Sequence, residues 1–473
     1  MSQNSYIPRF LLIGIVLAQL VSSALFAQEE SRMNVLFIIV DDLNVDIASY
    51  GHPVVKTPNL DKLRARGVQF NHAYSQYPLC NPSRNSLLTS LYPGTSGNLS
   101  NADHIRDLVP DVVTLPELFK ENGYTTISTG KVFHHEDAQS WSKISDITTG
   151  EIHPEGKPYA FYRVRGQEGR TKGDEAFLSD GSLKWFQWRS VTEGEEFLKD
   201  TQAANTMIQR IDELAESGDP FFLAFGLARP HDPFFAPKRF FEMYPDEVLT
   251  LPEAPADASS WPITAFNSEF LEVFRKLTEQ EKFDAMRSIY ASTSYMDEQL
   301  GRVLDYFEAK GLSDNAAVIF VSDNGYHVGE NDYWNKATLF ERSCLAPLII
   351  ATPDMSTAGE SSDRVVEFID IYPTIAELCS LEVPDHVEGT SLVPLLEDPE
   401  AERREIAYSY VNTGRSVRDS RYRYTRWPGG LHALWDHKHD PNEHYNVADN
   451  PEYASVLQRM EVLLDAIPEP KGN

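Results

Sequence analysis

The sequence predicts an α/β protein, a doubly wound and mostly parallel sheet followed by a smaller C-terminal α+β part with an antiparallel sheet. Three observations lead there. Four apolar, β-branched runs each end in polar residues, amphipathic stretches of helical period separate them, and near residue 382 the pattern changes to short alternating runs. The run 34–40 ends at Asp41 and Asp42, and 124–129 ends at Gly130 and Lys131. The run 221–226 leads to Arg229, Pro230 and His231, and 316–322 ends at Asp323 and Asn324. Such unbroken runs suit strands buried on both faces. The candidate helices are 60–66, 115–122, 201–215 and 283–310, and their alternation with strands implies helices on both faces of one sheet. Open α/β sheets bind ligands beyond the carboxyl ends of their strands. All four polar sets fall at such ends.

From Glu382 onward, Pro384, Pro394 and Pro399 punctuate a linker-like stretch. Short runs at 406–410, 416–419, 422–427 and 432–436, with a turn at Pro428, Gly429 and Gly430, then predict a small antiparallel sheet. An amphipathic helix over 452–467 closes the chain. The expected organisation is a signal peptide at 1–27, a main α/β domain at 28–381 and a C-terminal α+β subdomain at 382–473. The leader is inferred from Arg9, the apolar stretch 10–20 and the small residues Ser22, Ser23 and Ala24, with cleavage after Ala24 or Ala27. The apolar stretch is short for a membrane span, so export to the periplasm or beyond is expected, without stable membrane insertion.

The chain has 473 residues, 41% of them hydrophobic, enough for two cores and unlike a disordered protein. With 42 basic and 71 acidic residues, its net charge of −29 argues against nucleic acid or anionic lipid as a partner. An anionic substrate remains compatible with a cleft that concentrates positive charge. Three cysteines make no disulfide framework. Export would permit a Cys344–Cys379 bridge, but their apolar neighbours favour buried thiols.

The third cysteine carries chemistry. Cys80, Asn81, Pro82, Ser83 and Arg84 precede Leu87, Leu88 and Leu91, so Pro82 suits a first helical turn and the leucines give an apolar face. Cys80 then lies at a helix N-terminus, where N–H groups and the dipole favour an anion. Asp41 and Asp42 alone would read as a solvated turn. Asp323 and Asn324 at a second strand end make a shared cation site the stronger reading, because converging carboxylates repel without one. Hard oxygen donors suit Ca²⁺ or Mg²⁺ rather than zinc. Lys131 and His134, at i and i+3, share a face of a helical turn. His135 follows directly, and the sequence leaves open which imidazole works. His231 follows Pro230 in an extended loop. Arg84 and Lys336 read blandly as surface charges. An anionic ester in an acid-rich cleft would need them.

The stretch from Cys80 to Thr89 resembles the type I sulfatase motif Cys-x-Pro-Ser-Arg-x-x-x-Leu-Thr. The runs 34–42, 130–134, 229–231 and 322–325, with Lys336, resemble the same family in the same order, over roughly residues 34–450. The likeness is closest to the iduronate 2-sulfatase group, through residues 130–134 and 230–234. Two positions depart from the pattern. Ser90 stands where the motif usually has glycine, and Asn324 stands where iduronate 2-sulfatases carry histidine.

The resemblance implies an alkaline-phosphatase/sulfatase-like fold. It implies hydrolysis of a sulfate ester on a mono-, oligo- or polysaccharide, such as a 2-O-sulfated uronic acid. It further implies a maturation enzyme that oxidises Cys80 to formylglycine, and one calcium ion held by Asp41, Asp42, residue 80, Asp323 and Asn324. In that scheme a hydroxyl of the hydrated aldehyde attacks sulfur with Asp323 as base. Lys131, Lys336 and Arg84 steady the sulfate or residue 80. His231, helped by Lys336, protonates the leaving alcohol, and His134 deprotonates the second hydroxyl to expel sulfate. Arg229, Arg415 and Arg418 are candidates to bind a sugar carboxylate. Two alternatives stand beside this reading. One is a phosphonate or phosphodiester hydrolase, separable by comparing aryl sulfate with aryl phosphodiester. The other is an inactive calcium- or glycan-binding scaffold, separable by the mass of the Cys80 peptide.

Overall fold

The computed structural model describes residues 32–144, 165–179, 181–253, 255–259, 261, 263–411 and 414–467. The expected leader lies outside them, and no helix of the described residues is long and apolar enough to cross a membrane. Among the described residues, fifteen strands form three sheets, in chain order β1 (Asn34–Val40), β2 (Val68–Tyr74), β3 (Thr125–Gly130), β4 (Lys143–Ile144), β5 (Lys172–Phe177), β6 (Gln187–Glu193), β7 (Phe221–Leu227), β8 (Phe234–Pro237), β9 (Ala316–Ser322), β10 (Leu348–Ala351), β11 (Ser361–Glu367), β12 (Ile406–Val411), β13 (Gly414–Asp419), β14 (Tyr422–Arg426) and β15 (His432–Asp436). The helices that cover them are α1 (Pro58–Arg64), α2 (Cys80–Thr89), α3 (Leu115–Glu121), α4 (Lys199–Ser217), α5 (Glu279–Ala309), α6 (Ile371–Leu378) and α7 (Ala454–Asp465).

The main sheet has the order β11-β2-β10-β9-β1-β7-β3-β4, parallel throughout except for β10, which runs antiparallel to both neighbours. Strand β1 shows why helices lie on both sides. Val35, Phe37 and Ile39 point into one core with α2, α3 and α6, whereas Leu36, Ile38 and Val40 point into another with α4 and α5. This is the doubly wound architecture expected. The four predicted strands 34–40, 124–129, 221–226 and 316–322 are β1, β3, β7 and β9, which stand consecutively in the sheet as β9-β1-β7-β3.

The structure corrects three local expectations. Helix α2 stops at Thr89 and is buried on every side, so Leu91 lies beyond it, and the helix is not amphipathic. Residues 131–135 form a bend, not a helical turn. The proline-marked stretch after 382 is packed rather than linker-like, with Leu392, Leu395 and Leu396 buried and Glu388 N–H donating to the Ser90 carbonyl at 2.9 Å.

The second sheet, β12-β13-β14-β15, is antiparallel and carries α7 on an apolar face of Tyr408, Tyr410, Val417, Tyr424 and Leu434. It is stitched to the main domain at β12, where Tyr410 N–H donates to the Gln76 carbonyl (2.8 Å) and Ser409 Oγ to the Ser75 carbonyl (2.7 Å). The third sheet, β5-β6-β8, was not expected from the sequence. Cys80, Cys344 and Cys379 are all free thiols.

Candidate active site

Strand register assembles the site. Val40 pairs with both Leu227 and Ser322, and Gly130 pairs with Gly226, so Asp41, Asp323 and Lys131 emerge at one level of the carboxyl edge. Backbone bonds continue the alignment past the strand ends. Asp323 N–H donates to the Val40 carbonyl (3.0 Å) and Asp41 N–H to the Leu227 carbonyl (3.1 Å). Asp42 then takes a left-handed turn (φ 64°), which Asp tolerates better than most side chains, and its N–H donates to Asp323 Oδ1 at 3.0 Å. Gly130 is required where it stands. Its φ is +86°, and a Cβ there would lie 1.9 Å from the Gly226 carbonyl oxygen.

Helix α2 delivers Cys80 and Arg84 from the other side. Arg84 is wholly buried and acts as a brace. Its Nε donates to Asp323 Oδ2 (2.8 Å), Nη2 to Asp41 Oδ1 (3.1 Å) and Nη1 to the carbonyls of Val132 (3.0 Å) and Lys131. Lys131 Nζ reaches Asp41 Oδ2 at 2.5 Å. Lys336 Nζ bonds Asp42 Oδ1 and lies 2.8 Å from Cys80 Sγ. Burial would raise the Asp41 carboxyl, but Lys131, His231 and Arg84 hold it well below the usual range. For Asp323, burial wins against Arg84, and neighbouring Asp41 adds to it, so its carboxyl stands well above the usual range. Burial and Asp41 oppose ionisation of the Cys80 thiol, yet Lys131 and Lys336 bring its pKa below the ordinary value.

The two histidines differ in proton affinity. His134 is driven down to about 3 by burial and by the Lys131 cation, and its Nδ1 has no hydrogen-bond partner among the described residues. His231 is pushed up to about 9, because Asp232 and Asp41 outweigh burial. Its Nδ1 meets the Asp232 carbonyl at 2.7 Å, and its Nε2 lies 3.7 Å from Asp42 Oδ2. His135 turns elsewhere, with Nε2 on the Asn101 carbonyl at 2.6 Å and its ring stacked on His104. Of the two imidazoles, His134 is therefore the one whose ring is not engaged in a hydrogen bond with its neighbours among the described residues.

Ligand atoms of Asp41, Asp42, Cys80 and Asp323 all lie within 4.8 Å of one another. Asn324 joins them, its Nδ2 donating to Asp42 Oδ1 at 2.9 Å. Two buried oxygens in this cup, Asp42 Oδ2 and Asn324 Oδ1, have no hydrogen-bond partner among the described residues. Carboxylate and amide oxygens with spare lone pairs, clustered and shielded from water, are a donor set that fits a hard divalent cation. All of Asp41, Asp42, Cys80, Arg84, Lys131, His134, His231, Asp323, Asn324 and Lys336 converge here.

Two of the three arginines expected to meet a sugar carboxylate are buried and paired with acids of the protein itself. Arg229 is buried, its Nη2 on Glu168 Oε1 (2.7 Å), its Nε on the Phe235 carbonyl (3.2 Å) and its Nη1 on the His231 carbonyl (3.3 Å). It holds the His231 loop. Arg418 is buried beside Glu341 at 3.4 Å. Arg415 is half-buried on β13. Sequence reasoning missed Asp232, which flanks His231 directly and could have been suspected. It also missed Glu168 and Asp200, which carry no motif. Asp200 accepts from the N–H groups of Ala228 (2.7 Å) and Arg229 (2.9 Å), fixing the same loop from helix α4. Ser90, in place of the usual glycine, sits at φ 56°. Its hydroxyl offsets the strain by donating to the Ile369 carbonyl (2.6 Å) and accepting from Gly389 N–H (3.0 Å).

The profile of the family described as Sulfatase matches residues 33–381, and that of the N-sulphoglucosamine sulphohydrolase C-terminal region matches 329–469. A sulfatase of Formosa agariphila is 31% identical over 96% of this chain and 91% of that protein. Iduronate 2-sulfatase of Homo sapiens is 30% identical over 94% of this chain and 97% of that protein. Among solved structures, a phosphonate monoester hydrolase from Silicibacter pomeroyi superposes with a TM-score of 0.74 at 21% identity, covering 91% of this chain and 94% of that one. At that identity the likeness concerns the fold.

Proposed function

The chain belongs to the sulfatase family of sulfuric ester hydrolases, and from that premise we propose that it removes sulfate from an acidic sugar outside the cytoplasm, with Cys80 matured to formylglycine and one calcium ion in the carboxylate cup. The observation that carries this reading is the buried cluster in which ligand atoms of Asp41, Asp42, Cys80 and Asp323 lie within 4.8 Å of one another, with Asp42 Oδ2 and Asn324 Oδ1 lacking a hydrogen-bond partner among the described residues. A buried acceptor without a hydrogen bond costs about 1–3 kcal/mol, and a cation in the cup would engage both oxygens. Asp41, Asp42, Asp323 and Asn324 would hold the ion together with residue 80. When bound, the ion supplies Lewis acidity, and the matured residue supplies the nucleophilic oxygen.

The side chains of this protein do the rest. Arg84 keeps Asp41 and Asp323 at fixed separation. Arg84, Lys131 and Lys336 equal the three aspartates in number, so with a divalent ion bound and all three carboxylates ionised the cup would be positive, as an anionic ester requires. Lys131 and Lys336 face the sulfate oxygens. Asp323 accepts the proton of the nucleophile. His231, held at Nδ1 by the Asp232 carbonyl, donates from Nε2 to the leaving alcohol oxygen. His134, with an unpaired Nδ1, accepts the proton released as sulfate departs.

The human relative's name, iduronate 2-sulfatase, and that protein's coverage of nearly the whole chain support a sulfated uronate or related sugar as substrate. The apolar stretch 10–20 supports export to the periplasm or beyond. The purified protein should contain calcium, and Asp42→Ala should lose metal and activity together. The tryptic peptide of residue 80 should be about 18 Da lighter than encoded. Full activity from metal-free protein, or from protein carrying only unmodified Cys80, would defeat the reading.

A further inference from the structure

Among the described residues, two cavities outside the cup bear on what else the protein could bind. The larger, about 530 Å³, opens at the amino ends of the parallel strands beside Ala316 and Ala351. Its cations Lys62 and Arg66 are already opposed by Asp305 and Glu308, and it lies at the wrong end of the sheet for the reaction. The smaller, about 370 Å³, is lined by Glu168, Lys184, Trp185, Gln187, Arg189 and Pro233, among others. Pro233 is two residues from His231 in the same loop. This cavity therefore abuts the segment that carries the proposed proton donor to the leaving sugar.

Its lining has the chemistry of a site for an anionic sugar. Trp185 is half-exposed, its indole steadied by edge contacts to Phe186, Phe270 and Phe274, and it offers a flat apolar surface. Lys184 is exposed and pairs with no acid among the described residues, which is unusual in a chain of net charge −29. Gln187 is half-exposed and adds an amide able to donate and accept. The one buried acid in the wall does not repel an anion, because Arg229 holds Glu168 Oε1 at 2.7 Å and Lys199 stands 3.8 Å from Oε2. That pairing also makes the wall rigid, since Arg229 grips the His231 carbonyl.

We infer that this cavity is a subsite for the sugar adjoining the sulfated residue, and that it takes a negatively charged pyranose, its ring against Trp185 and its anion on Lys184. The inference rests on the sulfated-sugar reading above and extends it from one residue to at least two.

The test compares the matured wild-type enzyme with Lys184→Glu and Gln187→Ala on a graded set of substrates. The set is 4-nitrophenyl sulfate, a sulfated monosaccharide, and that same sugar joined to a neighbour bearing a carboxylate, a sulfate or no charge. Lys184 is exposed, so its substitution leaves the fold intact. The wild type should show a KM about tenfold lower for a charged than for a neutral neighbour, the scale of one charge-assisted contact. Lys184→Glu should erase that advantage, and Gln187→Ala should shrink it, while kcat and the turnover of 4-nitrophenyl sulfate stay unchanged. An advantage for the carboxylate or for the sulfate supports the subsite and identifies its anion. Equal KM for all three neighbours, or an advantage that survives Lys184→Glu, overturns it. If the wild type cleaves 4-nitrophenyl sulfate but no sulfated sugar of any length, the sugar reading itself has failed, which is a distinct result.

Discussion

His134 and His231 lie at the same cup but face different charges, the first a lysine and the second two aspartates. Their substitutions should therefore differ in kind. His231→Ala should slow alkyl sulfates by about 10²–10⁴-fold and activated aryl sulfates far less, because an acid helps only where the leaving oxygen needs a proton. His134→Ala should slow both to a similar degree. A matched leaving-group dependence in the two variants would remove the assignment. Asp200 offers a residue-scale test away from the chemistry. Burial pushes its carboxyl up to about 6 from the ordinary 3.8, against the pull of Arg229 and two backbone N–H groups. A folded-state value above the unfolded one means that the folded chain holds the proton more tightly. The resulting stabilisation is present below about pH 4 and fades as pH rises through about 6. Asp200→Asn cannot ionise, so between those limits it should gain on the wild type by up to about 3 kcal/mol. Urea unfolding at the two pH values measures this, and a gap that stays constant with pH would contradict it.

At the scale of elements, the site depends on the register of four strands, and Gly130 is where that register is tightest. Gly130→Ala would force a methyl group onto the Gly226 carbonyl at a left-handed φ, and should destabilise by about 2–5 kcal/mol. Activity should fall further than the unfolded fraction explains, since Lys131 moves with the strand. The four central strands were legible because each is an unbroken apolar run, and β1 and β9 have the predicted limits. The others were not, for identifiable reasons. Strand β2 is interrupted by Gln69, Asn71 and His72, β10 has only four residues, and β11 opens on Ser361, Ser362, Asp363 and Arg364. The sheet β5-β6-β8 was hidden because β5 is almost wholly exposed and polar, and so has no apolar pattern to read. The aspartates of the cup were legible from their position after a strand. The supports of the His231 loop were not, because Glu168 and Asp200 act through tertiary contacts that leave no local spacing.

At the scale of the molecule, the C-terminal part is not an accessory. Tyr77, Tyr92 and Ile369 of the main domain are buried in one cluster with Tyr408, Tyr410, Val417 and Leu434. An ionic cluster joins the same parts nearer the site. Arg423 Nε meets Glu443 at 3.0 Å and its Nη2 bonds Glu341, while Glu341 N–H donates to Glu443 Oε2 at 2.7 Å. Glu341 is five residues from Lys336, so this anchor fixes the segment that carries a lysine of the cup. Removing one partner leaves buried charge uncompensated. Arg423→Met should cost about 3–5 kcal/mol and weaken activity without touching substrate. A chain ending at residue 381 should fail to give soluble, active protein, because it would expose the Tyr77, Tyr92 and Ile369 face. An active fragment of that length would show the two parts to be independent.

The burial of α2 sets a timetable. All ten residues from Cys80 to Thr89 are enclosed by the finished fold, and the thiol itself is 1% exposed. An enzyme that must grasp this stretch to oxidise Cys80 has no handle on it once the sheet has closed. On the maturation proposed above, conversion and folding would compete for the same few moments after synthesis, and whichever came first would fix the fate of the molecule. Chains that fold early would be well-formed, soluble and permanently inert. A preparation of this protein should therefore be a mixture of two covalent species with the same melting behaviour. Its specific activity would record how the race was run, and adding the maturation enzyme to folded protein should not change it, whereas adding it during refolding should.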